Sequence, residues 1–160
     1  MPRNSIDLNF ADGSYIFALP APRIDELQKK TGTGVGGLFN RLLKGVVRHP
    51  ITGELGFNAA HAEFYFADIV EPIRQGLIGG GQGIVSGAEV KVTPAVADRL
   101  IQNYVLDRPL VDSWEHAVSI LGACVNGYDP PKKESPVETA GSPPKKGASR
   151  KKGGSTTASS

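Results

Sequence analysis

The chain has 160 residues, a formal net charge of +2 and one cysteine, Cys124. That length suits one domain around a single core, and a lone cysteine excludes both an intramolecular disulfide and a Cys-based zinc cluster. The charge is unevenly spread: from Asp129 onward seven basic residues meet three acidic ones, while residues 1–128 carry two more acids than bases. The basic character therefore belongs to the tail and gives no reason for the folded part to bind nucleic acid.

Ser5–Phe10 and residues 14–19 are short strand-like runs around Ala11-Asp12-Gly13. An Asp-Gly pair between apolar runs predicts a hairpin, with glycine taking the positive φ of the turn. Ile6, Leu8 and Phe10 alternate on one strand, and Tyr15, Phe17 and Leu19 on the other, giving an apolar face that needs a cover. Pro20 and Pro22 open a helix bearing Ile24 and Leu27, which Gly32 closes as a C-cap. A second helix is expected after Gly36-Gly37, with Leu38, Leu42 and Val46 on its buried face.

Residues 49–60, with Pro50, Gly53 and Gly56, read as a loop or insertion. Asp68 and Glu71 resemble a capping box that would place Pro72 in the first turn of a helix carrying Ile69, Ile73 and Leu77. The glycine run 79–83 ends that helix as a C-cap and mobile connection. Thr93-Pro94 starts a further helix with Val96, Leu100, Ile101, Tyr104 and Val105 on its apolar stripe. After Asp107-Arg108-Pro109, Asp112 and Glu115 mark a last helix whose inner face is Trp114, Ala117, Val118, Leu121 and Val125. Beyond Asp129 the chain is Pro, Lys, Ser, Thr and Gly, which cannot offset its ordering entropy. The expected fold is α+β, mainly α: an N-terminal β-hairpin, then four to five short helices, over residues 1–128, with a disordered basic tail at 129–160.

Motifs that resemble chemistry weaken on inspection. Gly32-Thr33-Gly34-Val35-Gly36-Gly37 fits G-x-G-x-x-G, yet the segment before it reads as helix, whereas dinucleotide binding needs a strand there. His61-Ala62-Glu63 matches half of a zinc deaminase signature, but the P-C-x-x-C half is absent. His116 beside Glu115 reads as a solvated pair, and Cys124 as a small core residue. Phe64-Tyr65-Phe66 has no interleaved basic residue to make a base-stacking platform, so nucleic acid is confined to non-specific contacts of the tail. The first ten residues have no apolar core of a signal sequence, and no stretch approaches the roughly 18–20 apolar residues of a membrane span. The expectation is a cytoplasmic protein that is no enzyme and uses no cofactor or metal.

Three stretches in order resemble the tail assembly chaperone family of phages and gene transfer agents. They are Asp12-Gly13-Ser14-Tyr15 through Phe17-Ala18-Leu19-Pro20, with Asp25-Glu26-Leu27-Gln28-Lys29; then Asp68-Ile69-Val70-Glu71-Pro72-Ile73-Arg74-Gln75-Gly76-Leu77-Ile78-Gly79-Gly80-Gly81; and Leu100-Ile101-Gln102-Asn103-Tyr104-Val105 leading to Arg108-Pro109-Leu110 and residues 117–121. Residues 49–66 are longer than the family's usual connection, and the tail lies outside the resemblance. The resemblance implies a non-catalytic chaperone that binds the tape measure protein, keeps it soluble while the tail tube assembles, and is absent from the finished particle. It implies the tape measure protein as partner, with the tail tube protein and self-association as further options. Ile73, Arg74, Leu77, Ile78, Gly79, Gly80 and Gly81 are the candidate partner-binding or structurally critical segment, with core packing the plain alternative for Ile73 and Leu77. The competing reading is a structural tail component, tube-associated or terminator-like, that stays in the particle.

Overall fold

In the computed structural model, which describes residues 3–130, two β-hairpins join side by side into one antiparallel sheet in the order β1-β2-β5-β6. β1 (Ser5–Phe10) and β2 (Gly13–Ala18) form the first hairpin, in the register Ile6–Phe17 and Leu8–Tyr15, so their alternating apolar residues share one face. β5 (Gln82–Val85) and β6 (Ala88–Lys91) form the second, and Ser14–Ile84 and Tyr15–Gly83 join the two. A separate two-stranded hairpin, β3 (Val46–Arg48) and β4 (Leu55–Phe57), stands apart.

Five helices lie among the described residues: α1 (Ala21–Thr31), α2 (Val35–Leu43), α3 (Phe66–Gly80), α4 (Pro94–Tyr104) and α5 (Leu110–Asn126). α3 is the hub, packed on β2 and flanked by α1, α4 and α5. The core runs between sheet and helices through Phe17, Leu27, Leu38, Leu42, Ile69, Ile73, Leu77 and Leu121, all fully buried. The α+β, mainly helical expectation holds. The disorder expected of the tail concerns mostly residues outside the described ones. Tyr128 and Asp129 are described: the Tyr128 N–H donates to the Arg3 carbonyl (2.6 Å), and Asp129 pairs with Arg3 (3.1 Å).

Several local readings change. The positive φ of the first turn falls on Ala11 (56°), not on Gly13. Gly13 is needed for a different reason, because a Cβ there would collide with the Ile84 carbonyl of the neighbouring strand. α2 begins at Val35, so Gly36 and Gly37 are its first turn, and Val46 belongs to β3 rather than to a helical face. α3 begins at Phe66, a turn earlier than Asp68 suggested. Asp68 is therefore the third helical residue, reaching back to accept the Tyr65 N–H (2.9 Å). Pro72 then sits inside the helix, where it leaves the Asp68 carbonyl without its usual donor. α5 starts at Leu110, two residues before Asp112, and leaves Val125 exposed.

Candidate functional site: an apolar cleft beside the β3–β4 hairpin

The long connection at residues 49–66 builds the most distinctive surface of the domain. β3 and β4 are three residues each, too short to hold themselves in water. Their tip is tied locally: His49 Nδ1 accepts from the N–H groups of Ile51 (3.2 Å) and Thr52 (3.1 Å), and the His49 N–H donates to the Glu54 carbonyl (2.8 Å). Their base is anchored by aromatic stacking. Phe57 lies 5.0 Å from the Trp114 ring of α5 and 5.8 Å from Phe64. The Trp114 indole N–H donates to the Leu42 carbonyl (2.8 Å), capping the end of α2 and fixing α5 against it.

Between this hairpin, the end of α2 and one face of α5 runs a cleft of about 400 Å³, lined by Leu43, Val46, Leu55, Phe57, Val111, Trp114 and Val118. Its rim is mostly apolar and wet, with Glu115 and Ser119 as its polar members: Leu55 is 66% exposed, Val111 45% and Leu43 39%. Val47 and Ile51 extend that surface over the far side of the hairpin. Covering the exposed part of one such Leu or Val is worth about 1–2 kcal/mol, so a partner filling the cleft would gain from several contiguous side chains.

The segment singled out from the sequence has a different geometry. Ile73 and Leu77 are completely buried. A Cβ on Gly79 would collide with the Ala18 carbonyl and one on Gly80 with the Ile16 carbonyl, so these glycines let α3 lie directly on the β2 backbone. Gly81 is the left-handed C-cap (φ 70°) before β5. Arg74 is a tie between helices: its Nε donates to Asp98 of α4 (2.8 Å) and its Nη1 to Glu71. Ile78 is half-buried beside it, in a polar groove with Arg23 and Gln75. The Arg23 guanidinium donates to Gln75 Oε1 (3.0 Å), carrying the network to α1.

Other polar groups serve packing. Arg41 of α2 donates to the buried Asp68 carboxylate (2.7 Å) and stacks on the Tyr65 ring (5.0 Å). His116 is no solvated partner of Glu115: it is half-buried, edge-on to Phe10 (5.4 Å), with Nε2 placed to donate to the Asn9 carbonyl (2.9 Å). Burial holds the Cys124 thiol above its ordinary range, on a half-buried side chain rather than a core one. His61 lies in a short 3-10 turn (Ala59–His61), and no group of three or more His, Cys, Asp or Glu that could hold a metal occurs among the described residues. Of the G-x-G-x-x-G glycines, Gly32 is the left-handed C-cap of α1, Gly34 the N-cap of α2, and Gly37 lies in the first turn of α2. No described helix is long and apolar enough to cross a membrane.

The cleft escaped sequence reading because its residues come from three distant segments. One signal was present: Leu55, Phe57 and Phe64 sit in a Gly- and Pro-punctuated stretch, where large apolar residues need a packing partner.

The domain is thus an α+β fold with an exposed, mostly apolar cleft beside the β3–β4 hairpin. Residues 3–127 match the family described as phage tail tube protein, GTA-gp10, and the chain belongs to that family. The tail lineage expected from the resemblance is therefore right, while the family description names a tube protein rather than a chaperone. No curated protein and no solved structure matches the chain.

Proposed function

We propose that the protein is a non-catalytic structural component of a phage-type tail, associated with the tube and retained in the particle. The observation that carries this reading is the family match across nearly the whole described domain. The cleft between β3–β4 and α5 supplies the docking surface, and an apolar face of another tail protein is the occupant that suits it. The test is a cleft substitution: Leu55→Asp and Val111→Asp put charge where the partner's apolar face must sit. Both residues are exposed, so the variants fold as the wild type does while losing co-purification with tail proteins. Undiminished co-purification would remove the cleft from the proposal.

A second reading, the chaperone of the tape measure protein, is favoured by the same exposed rim, because a shield for apolar helical faces needs an open surface in the free state. Co-expression separates the two. Soluble tape measure protein recovered with many copies of this chain, and a chain absent from particles, would support the chaperone.

A further inference from the structure

The two outer edges of the four-stranded sheet are unequal. A two-residue turn makes its flanking residues a hydrogen-bonded pair, and alternate residues along an antiparallel strand then point their backbone groups inward or outward. On β1 the pair Phe10–Gly13 sets Ile6, Leu8 and Phe10 toward β2, and Ser5, Asp7 and Asn9 outward. The chain covers this edge at its two ends: the Arg3 carbonyl, just before the strand, accepts from the Tyr128 N–H (2.6 Å), and the Asn9 carbonyl faces His116 Nε2 (2.9 Å). Arg3, Tyr128 and His116 thus crowd both ends of the β1 edge.

β6 is open. Ser86 (φ 50°) and Gly87 (φ 80°) form its two-residue turn, making Val85–Ala88 the closing pair. Ala88 and Val90 therefore bond inward to β5, as does Val92, whose N–H donates to the Gly81 carbonyl (2.9 Å). Glu89 and Lys91 point their backbone groups outward, and both side chains are exposed and without an ion pair among the described residues. Among the described residues, β5 is the only strand beside β6.

We infer that β6 pairs antiparallel with β6 of a second copy of this chain, about a twofold axis at Val90, joining the two sheets into one. The charges select the occupant and the register. Outward backbone groups must meet outward ones, so only three symmetric registers are open over this strand. Centring on Glu89 sets Glu89 against itself, and centring on Lys91 sets Lys91 against itself; both place like charges opposite each other. Centring on Val90 sets Glu89 opposite Lys91 of the second copy, and Lys91 opposite its Glu89. Each pair exchanges two backbone hydrogen bonds and brings opposite charges together. A twofold β6–β6 contact uses the same edge of both copies, so it closes as a dimer. This inference stands on the sheet and not on the tail assignment.

The experiment is sedimentation equilibrium of the full chain over a wide concentration range, with charge-reversed variants. The wild type is expected to be a dimer. Glu89→Lys alone and Lys91→Glu alone each put like charges together and should raise the dimer dissociation constant roughly tenfold or more. The double reversal, Glu89→Lys with Lys91→Glu, restores the pairing and should restore the dimer. Lys91→Pro removes an outward N–H that β5 does not use, and should give monomer with the wild-type melting transition. A wild type that stays monomeric throughout overturns the inference. So does a dimer indifferent to the single reversals, or one that the double reversal fails to rescue.

Discussion

Substituting alanine at Gly80 separates a packing role for the 79–81 glycines from a partner-binding one. The added Cβ would be driven into the Ile16 carbonyl, with the Phe17 backbone nitrogen a further 3.2 Å contact. Every obstructing atom is backbone, so no side-chain rotation relieves the clash. α3 must lift from β2, which loosens Leu77 and Phe17, both fully buried. Overpacking of this kind costs typically 1–3 kcal/mol and occasionally more, and backbone against backbone belongs at the upper end, about 3 kcal/mol. For a domain of this size that lowers the melting temperature on the order of 10 °C. Two alanines calibrate the result. Gly32→Ala meets nothing within 4 Å but must hold φ 71°, at a cost of about 1–2 kcal/mol. Gly36→Ala meets nothing and has an ordinary helical position, so it should stabilise by about 0.5–1 kcal/mol. Thermal unfolding followed by circular dichroism reads the series. Gly80→Ala melting within two degrees of the wild type would refute the close-packing argument.

Three other outcomes are expected. Arg74→Glu would set a third carboxylate beside Glu71 and Asp98, and should lower stability on the order of 2 kcal/mol in chemical denaturation; an unchanged midpoint would free Arg74 for a role at the surface. Asp68→Ala removes the buried partner of Arg41 and the acceptor of the Tyr65 N–H, at a cost of about 3 kcal/mol, the low end because Arg41 is partly exposed. Burial, then the Asp12 carboxylate that accepts the Tyr15 hydroxyl (2.5 Å), holds the Tyr15 phenol above a tyrosine's ordinary 10.0. Its folded value is raised, so its stabilising contribution is complete below about pH 10 and is lost as pH rises further. Stability measured across that range should fall above pH 10 in the wild type and fall less steeply in Tyr15→Phe.

How much was legible in the sequence follows from which interactions were local. Thr93-Pro94 announced α4 because an N-cap is made within one turn, and the Thr93 hydroxyl does accept the Val96 N–H (3.2 Å). Gly32 announced the end of α1 for the same reason. The second hairpin was missed, although Ser86-Gly87 between Gly-Ile-Val and Ala-Glu-Val is a turn signal, because the glycine run before it drew the eye to a mobile connection. Glycines 79, 80 and 83 look like flexibility in the sequence. In the fold Gly79 and Gly80 admit the β2 backbone, and Gly83 admits the Tyr15 ring, contacts made by residues some sixty positions away. The boundaries of α3 and α5 slipped because their N-caps, Tyr65 and Pro109, lack the usual small polar side chain. The cleft was least legible of all, since its lining is gathered from α2, β3–β4 and α5 by tertiary packing alone.

The most direct measurement is a quantitative mass-spectrometric inventory of purified tail-bearing particles, assembled with the wild-type chain and with Leu55→Asp/Val111→Asp. A tube-associated component gives a wild-type chain in many copies per particle, and a soluble, folded double variant that is left out. A wild-type chain missing from intact particles, while bound to the tape measure protein in the assembling cell, would contradict the structural assignment and make the protein an assembly chaperone.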